Sequence, residues 1–280
     1  MEYRYSGKSG LQLPLVSLGL WHNFGSVDPY DNARAMLLRA WEQGITHFDI
    51  ANNYGPEPGS AETTFGRVLR EDLAAHRDEM IISSKAGYLM WNGPYGDGGS
   101  RKYLMASCNQ SLRRTGLDYF DIFYSHRYDP NTPIEETMQA LVDIVHTGKA
   151  LYAGISNYPA DKQQECYDYL RAAHVPCVIS QYKANMLFED TLRNNLSVAE
   201  ENGSGFICFS PLAQGLLTDR YLHGIPEGSR ATKEVFLHRA QITEDVIART
   251  RRLSEIAASR GQSVAQMALA WLLAHEGVTS

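Results

Sequence analysis

Residues 16–44 read VSLGLWHNFGSVDPYDNARAMLLRAWEQG: a short β-rich run, a loop, and a helical pattern that stops at Gly44. Apolar residues recur at helical spacing in the second half, and a glycine just past the last of them is a usual helix stop. The loop between strand and helix carries no Gly-x-Gly-x-x-Gly. An open, doubly wound sheet that binds a dinucleotide would place that fingerprint here, because its glycines let the backbone approach a pyrophosphate. The stretch is therefore read as a βα unit of a barrel.

The alternation continues. β-rich runs follow at THFDIA (46–51), MIISSKAG (80–87), YFDIFYSH (119–126), ALYAGISN (150–157), PCVISQYK (176–183) and GFICFSPL (205–212). Helical patterns separate them. SAETTFGRVLREDL (60–73) and SRKYLMASCNQSLRRTGL (100–117) each open on a serine suited to cap a helix. The strands recur roughly every 30 to 40 residues, the length of a βα unit. Ahead of them, YRYSGKSGLQLPLVSLG (3–19) reads as a hairpin turning at SGKSG. The expected fold is α/β: a (β/α)8 TIM barrel with an N-terminal β-hairpin, one domain over residues 1–280. The sequence stops at EGVTS (276–280), where an eighth strand should begin. That strand and the segment after it are expected to be lacking, leaving the first and seventh strands with unpaired edges. The apolar helix SVAQMALAWLLAHEG (263–277) needs the barrel wall to cover it.

Composition sets outer bounds. The chain is 44% hydrophobic and 21% charged, as ordinary globular proteins are. A net charge of −6 argues against a general nucleic-acid or membrane surface. The N-terminus, MEYRYSGKSG, has no apolar signal segment, and no run approaches the length of a membrane span. Cys108, Cys166, Cys177 and Cys208 form no C-x-x-C pair and read as buried reduced thiols. A cytoplasmic protein is expected, with no metal, nucleic-acid or membrane partner; a homo-oligomer is compatible with all of this.

Chemistry enters where the strands end. The second strand ends at Asp49, the third at Lys85, the fourth at His126. Side chains alternate along a strand, so an inward Asp49 shares its face with His47, Lys85 with Ser83, and His126 with Tyr124 and Ile122. Tyr54, in the loop after Asp49, can reach the same mouth. Each residue alone is commonly a cap, a surface group or a structural histidine; the four at one end of consecutive strands make a cluster. A phenol has a pKa of about 10, and a nearby ammonium is expected to lower it. Lys85 would do this, Asp49 would hold Lys85 charged and in place, and His126 would orient a carbonyl oxygen. Such a site protonates an alkoxide as it forms, given a hydride donor such as a nicotinamide. The Gly-rich NGPYGDGGS (92–100) reads as an active-site loop. Ser100 would cap a helix whose first turn carries Arg101 and Lys102, a place that can attract a substrate phosphate.

At this point the sequence resembles the aldo-keto reductase superfamily. FDIANNYG, SSKAGY and YSHR match that family's Asp, Tyr, Lys and His motifs in order and spacing, and GISNY and FSPLAQGLLT match two of its cofactor motifs. The likeness is closest to the branch of L-glyceraldehyde 3-phosphate reductases and potassium-channel β subunits, with LGLWHNFG, GPYGDGGSRKYL and PLAQGLLTDRYLHGIP most like the reductases. The resemblance implies NADPH bound across the barrel mouth, Tyr54 as general acid, Lys85 and Asp49 tuning it, and His126 orienting the carbonyl. It implies Ser156, Asn157 and Gln181 on the carboxamide, and Ser210, Leu212, Gln214 and Gly215 on the pyrophosphate, supported by Arg220. The substrate is expected against Trp21, Tyr54 and His126, with Arg101 and Lys102 near any phosphate. Where the family usually stacks an aromatic residue on the nicotinamide, this chain has Ala184, with Tyr182 two positions earlier. The elements that hold the adenosine 2′-phosphate in the family fall beyond residue 280, so preference for NADP over NAD comes from the resemblance alone. The implied activity is NADPH-dependent reduction of a small aldehyde, such as L-glyceraldehyde 3-phosphate or methylglyoxal, and hence methylglyoxal detoxification. The alternative is a nicotinamide-binding regulatory or scaffold subunit with little turnover. An inactive fragment is a third reading.

Overall fold

The computed structural model describes residues 1–233 and 236–280. A hairpin comes first, β1 (Tyr3–Tyr5) antiparallel to β2 (Gln12–Pro14), with Tyr3 opposite Pro14. Seven parallel strands then lie side by side in chain order: β3 (Leu18–Gly19), β4 (His47–Asp49), β5 (Ile81–Ala86), β6 (Phe120–Ser125), β7 (Ala150–Ser156), β8 (Cys177–Lys183) and β9 (Gly205–Phe209). Parallel neighbours need crossovers. These are α1 (Tyr30–Glu42), α2 (Ser60–Val68), α3 (Arg101–Thr115), α4 (Ile134–His146), α5 (Ala160–Ala172) and the short pair α6 (Asp190–Asn194) and α7 (Leu196–Glu201). After β9 come α8 (Arg230–Lys233), α9 (Glu244–Ser259) and α10 (Val264–Leu273).

The expected eighth-strand gap is partly filled. Val278 bridges Phe206 in parallel, Thr279 N donates to Phe206 O at 2.7 Å, and Cys208 N donates to Ser280 O at 3.0 Å. Ser280 Oγ lies 2.7 Å from Ser17 Oγ, next to β3. So the edge of β9, expected to be bare, has its backbone partners along residues 278–280, because leaving those groups buried and unpaired is costly.

Two hydrophobic layers follow from the strands being covered on both faces. Outside, the helices bury Leu37, Phe65, Leu104, Leu141 and Leu170 against the strands. Inside the barrel lie Ile122, Tyr124, Ile179 and Ile207, and the hairpin adds Leu11 and Leu13 to close one end. Tyr124 fits there because its register partner is Gly154, where a Cβ would come within 2.5 Å of the Tyr124 ring. α10 is covered as its sequence demands: Leu272 packs with Val278, Phe206 and Tyr182.

Of the two serine caps expected, one is formed and one is not. Ser100 caps α3, accepting from Tyr103 N at 3.2 Å. Ser60 does not cap α2; Gly59 does, at φ 92°, a left-handed conformation that favours glycine. The helix expected over 60–73 also stops at Val68, passes through a π turn at Leu69–Leu73 and tightens to 3-10 at Ala74–Glu79. No helix among the described residues is long and apolar enough to cross a membrane.

Candidate active site

The parallel pairing continues past the strand ends and fixes the residues there. Ile50 N donates to Ser83 O, Asn52 N to Lys85 O and His126 N to Ala86 O, each at 2.9 Å. Asp49, Lys85 and His126 are thereby held at the C-terminal ends of three neighbouring strands, each two residues beyond its neighbour in register. Tyr54 sits in a turn just above, its N donating to Ala51 O at 3.1 Å.

Asp49 is the hub. Its Oδ2 accepts from Lys85 Nζ at 2.7 Å and from Gln181 Nε2 at 3.0 Å; its Oδ1 accepts from Ser83 Oγ at 2.5 Å. Lys85, fully buried, also donates to Ile50 O at 2.6 Å. A buried carboxylate survives when such donors replace its water. Burial alone would raise the Asp49 pKa, but the Lys85 ammonium, the neighbouring His47 and the hydrogen bonds from Lys85 and Ser83 together hold the carboxyl below the usual range. Burial draws Lys85 below its ordinary value against the pull of Asp49. The ammonium lies 5.0 Å from the centre of the Tyr54 ring and 5.6 Å from that of Tyr124.

The Tyr54 phenol corrects an expectation. Its pKa goes up, not down: burial is the main cause and the Asp49 charge adds to it. The phenol is thus held protonated. His126 meets Tyr54 edge-on at 5.8 Å between ring centres and Tyr88 at 4.7 Å. Burial, then the Lys85 charge, push its pKa well below the ordinary value, so the imidazole is neutral at pH 7. Its Nδ1 is buried without a hydrogen-bond partner. Trp21 completes the mouth at 6.3 Å from Tyr54, and Phe236 packs on Trp21 at 4.6 Å.

At the ends of β7 and β8, Ser156 Oγ donates to Gln181 O at 2.8 Å, and Asn157 Nδ2 reaches Ser156 Oγ at 3.0 Å and His126 O at 3.1 Å. Asn157 holds a left-handed φ of 58°, tolerable for asparagine, which aims its side chain back at the mouth. With those donors committed, Asn157 Oδ1 and Gln181 Oε1 remain to accept from an amide. After β9, Ser210, Ala213, Gln214 and Gly215 all take positive φ, and the loop is tied by Gly215 N to Leu212 O at 2.9 Å. Gln214 Nε2 donates to Phe236 O at 3.3 Å, while its Oε1 is buried without a partner. Arg220 is exposed beyond this loop. Sequence reasoning missed Arg230, whose pKa is lowered by burial and then by the Arg220 charge, so two cations lie close together. Orphaned acceptors, a tightly coiled loop and two nearby arginines suit a nicotinamide dinucleotide.

Arg101 and Lys102 are engaged with neighbouring side chains. Arg101 pairs with Asp143 of α4, and its backbone N donates to Glu136 Oε1 at 2.9 Å, so a carboxylate already occupies that helix start. Lys102 lies 5.2 Å over the Tyr95 ring. Ala184 is buried, and Tyr182 stacks on Phe206 at 5.2 Å inside the core, so it offers no ring to the mouth. The cysteines are free, and Cys108, Cys166 and Cys177 are buried, as expected; Cys208 is half-buried, its thiol pushed up to about 12 by burial. Among the described residues no cluster could hold a metal ion.

A model of the Aldo/keto reductase family matches residues 15–280. L-glyceraldehyde 3-phosphate reductase of Escherichia coli O157:H7 is 57% identical over all of this chain and 82% of its own length; that of strain K12 is 56% identical with the same coverage. A probable voltage-gated potassium channel subunit beta of Arabidopsis thaliana is 34% identical over all of this chain and 86% of its own length.

Proposed function

Since the chain belongs to the aldo/keto reductase family, we propose that it reduces small aldehydes to alcohols with NADPH, L-glyceraldehyde 3-phosphate and methylglyoxal among them, in the cytoplasm. The observation that carries the reading is the buried Asp49–Lys85 pair beneath Tyr54 and His126 at one end of three adjacent strands.

NADPH supplies the hydride when bound. Asn157 Oδ1 and Gln181 Oε1 would hold its carboxamide, the loop over Ser210, Leu212, Gln214 and Gly215 would hold its pyrophosphate, and Arg220 and Arg230 would balance phosphate charge. The carbonyl oxygen of the substrate lies between the Tyr54 hydroxyl and His126. His126, neutral, donates a hydrogen bond that orients it. As charge develops on that oxygen, Tyr54 gives up its proton. The raised phenol pKa keeps that proton in place until an alkoxide, a far stronger base than phenolate, demands it. The Lys85 ammonium then stabilises the phenolate. Trp21, Tyr88 and Phe236 give the mouth aromatic walls that exclude water from this transfer.

The identity to potassium channel β subunits motivates a second reading, a nicotinamide-binding regulatory subunit with little turnover. Loss of NADPH absorbance with each aldehyde, alongside a direct cofactor-binding titration, separates the two. Steady oxidation supports the reductase; binding without turnover supports the regulatory subunit.

A further inference from the structure

We propose that His47 is a positioning residue, fixed as the Nε2–H tautomer, whose hydrogen bond through Ser83 keeps Asp49 aimed at Lys85. The inference deepens the reading above and uses residues that reading leaves idle.

His47 is fully buried at the start of β4, inside the barrel and one pleat below Asp49. Its Nε2 lies 3.0 Å from Ser83 Oγ, and its Nδ1 lies 2.8 Å from Ser17 Oγ. Ser83 Oγ in turn lies 2.5 Å from Asp49 Oδ1. Counting protons along this line fixes every direction. Asp49 is ionised, since Lys85 contacts its other oxygen at 2.7 Å, so it can only accept. The single proton of Ser83 must therefore go to Asp49. Ser83 then has only lone pairs for His47, so Nε2 carries the ring proton and donates. Burial pushes the His47 pKa down to about 4, so near neutral pH the ring has one proton, and Nδ1 must accept. The Ser17 proton goes to Nδ1, which leaves Ser17 Oγ to accept from Ser280 Oγ at 2.7 Å, a closer acceptor for that hydroxyl than Leu15 O at 3.4 Å.

The result is a chain of donors with one polarity, Ser280 to Ser17 to His47 to Ser83, ending on the catalytic carboxylate. Each member polarises the next, which strengthens the last bond to Asp49. Reversing any one member would set two protons, or two lone pairs, against each other. The alternative tautomer, with the proton on Nδ1, would leave Ser83 without a donor and free its hydroxyl to rotate away. Asp49 would then lose the bond that fixes its plane, and with it the placement of the Lys85 ammonium under Tyr54. Ser83 reaches Asp49 from β5 while Gln181 reaches it from β8, so the carboxylate is clamped from two sides of the barrel.

The test uses the full chain with ¹⁵N-labelled histidine. Long-range ¹⁵N–¹H correlation spectra assigned by His47→Gln should show a protonated Nε2 and a bare Nδ1 at pH 7. A protonated Nδ1, or an imidazolium, overturns the inference. Kinetically, with NADPH and methylglyoxal, His47→Leu should lower kcat roughly ten- to hundredfold through misplacement of the acid's support. The KM for the aldehyde should hold. His47→Gln, which keeps a donor toward Ser83, should recover most of the loss, and Ser83→Ala should match His47→Leu. Equal losses in the Leu and Gln variants overturn it. If the parent turns nothing over, the reductase reading fails separately. The tautomer then decides, together with a double-mutant cycle in urea between Ser83→Ala and Asp49→Asn. Coupling of at least about threefold in the unfolding constant is expected, and additivity overturns the inference. Ser83→Ala removes one hydroxyl, so it also serves should His47→Leu fail to fold.

Discussion

Acid should unfold this protein in part through His47, and the size of the effect follows from its burial. The ring is fully buried and its pKa falls from the ordinary 6.5 to about 4. Between those two values the unfolded chain binds a proton that the folded chain refuses. Stability therefore rises with pH across this window. The contribution is fully present above about pH 6.5 and is lost as pH falls toward 4. Across that window the contribution amounts to about 3 kcal/mol. His126 acts in the same direction but remains in both proteins being compared. The assay is urea unfolding followed by the fluorescence of the four tryptophans, over a pH series, for the parent and His47→Gln. Glutamine does not titrate, so the difference in slope between the two curves isolates His47 even if the absolute stabilities differ. The parent should lose about 3 kcal/mol more than the variant across the window. Parallel curves would refute the argument, because they would mean that the ring is solvated or already charged at neutral pH.

Tyr54→Phe should cut carbonyl reduction by at least about a hundredfold while leaving NADPH binding intact, since the phenol acts only as the alkoxide forms; comparable turnover in a single-turnover assay would remove Tyr54 from that role. Replacing Arg220 and Arg230 together with Ala should weaken NADPH roughly tenfold or more at low salt, less at high salt, by loss of charge-assisted phosphate contacts. A cofactor Kd that ignores both substitutions and salt would place the phosphates elsewhere. Arg101→Ala with Lys102→Ala should change the KM for L-glyceraldehyde 3-phosphate no more than that for its unphosphorylated analogue, because Arg101 is paired with Asp143 and Glu136 occupies the helix start. A selective rise for the phosphorylated substrate would restore the phosphate role read from the sequence.

Most of the barrel was legible because its strands are buried on both faces. Six of the seven read as β-rich runs separated by helical patterns, and β5 to β8 match their runs to within a residue or two. The first is the exception: VSLGLW shrinks to Leu18–Gly19, which pair with only Phe48 and Asp49. The start of α2 was misread for a local reason. A serine before an apolar pattern looks like a cap, but Gly59 can adopt the left-handed turn that Ser60 would resist. The filling of the eighth-strand position was invisible, because three residues are too few to carry a strand pattern.

The candidate site divides along the same line between local and non-local information. Asp49, Lys85 and His126 were readable because pleat alternation tells which strand residues face inward, and it put His47 and Ser83 on those faces too. Alternation says nothing about energies. The phenol's shift was assigned the wrong sign because a neighbouring ammonium is easy to name, whereas the depth of burial that outweighs it emerges only when strands, hairpin and loops close together. Arg101 was offered to a substrate because its partner Asp143 lies on the next helix, far along the chain. Arg230 and Phe236 come from the irregular stretch after β9, where no period marks which side chains turn inward. Gln181 shows why such knowledge bears on function. Read singly, it is an amide for a ligand. In the fold its Nε2 is committed to Asp49, and only its Oε1 is left to accept. One side chain thus links the place proposed for the carboxamide to the carboxylate that supports the acid. A cofactor that draws on that oxygen also braces the Asp49–Lys85 pair, so binding and proton transfer share a part that no motif spells out.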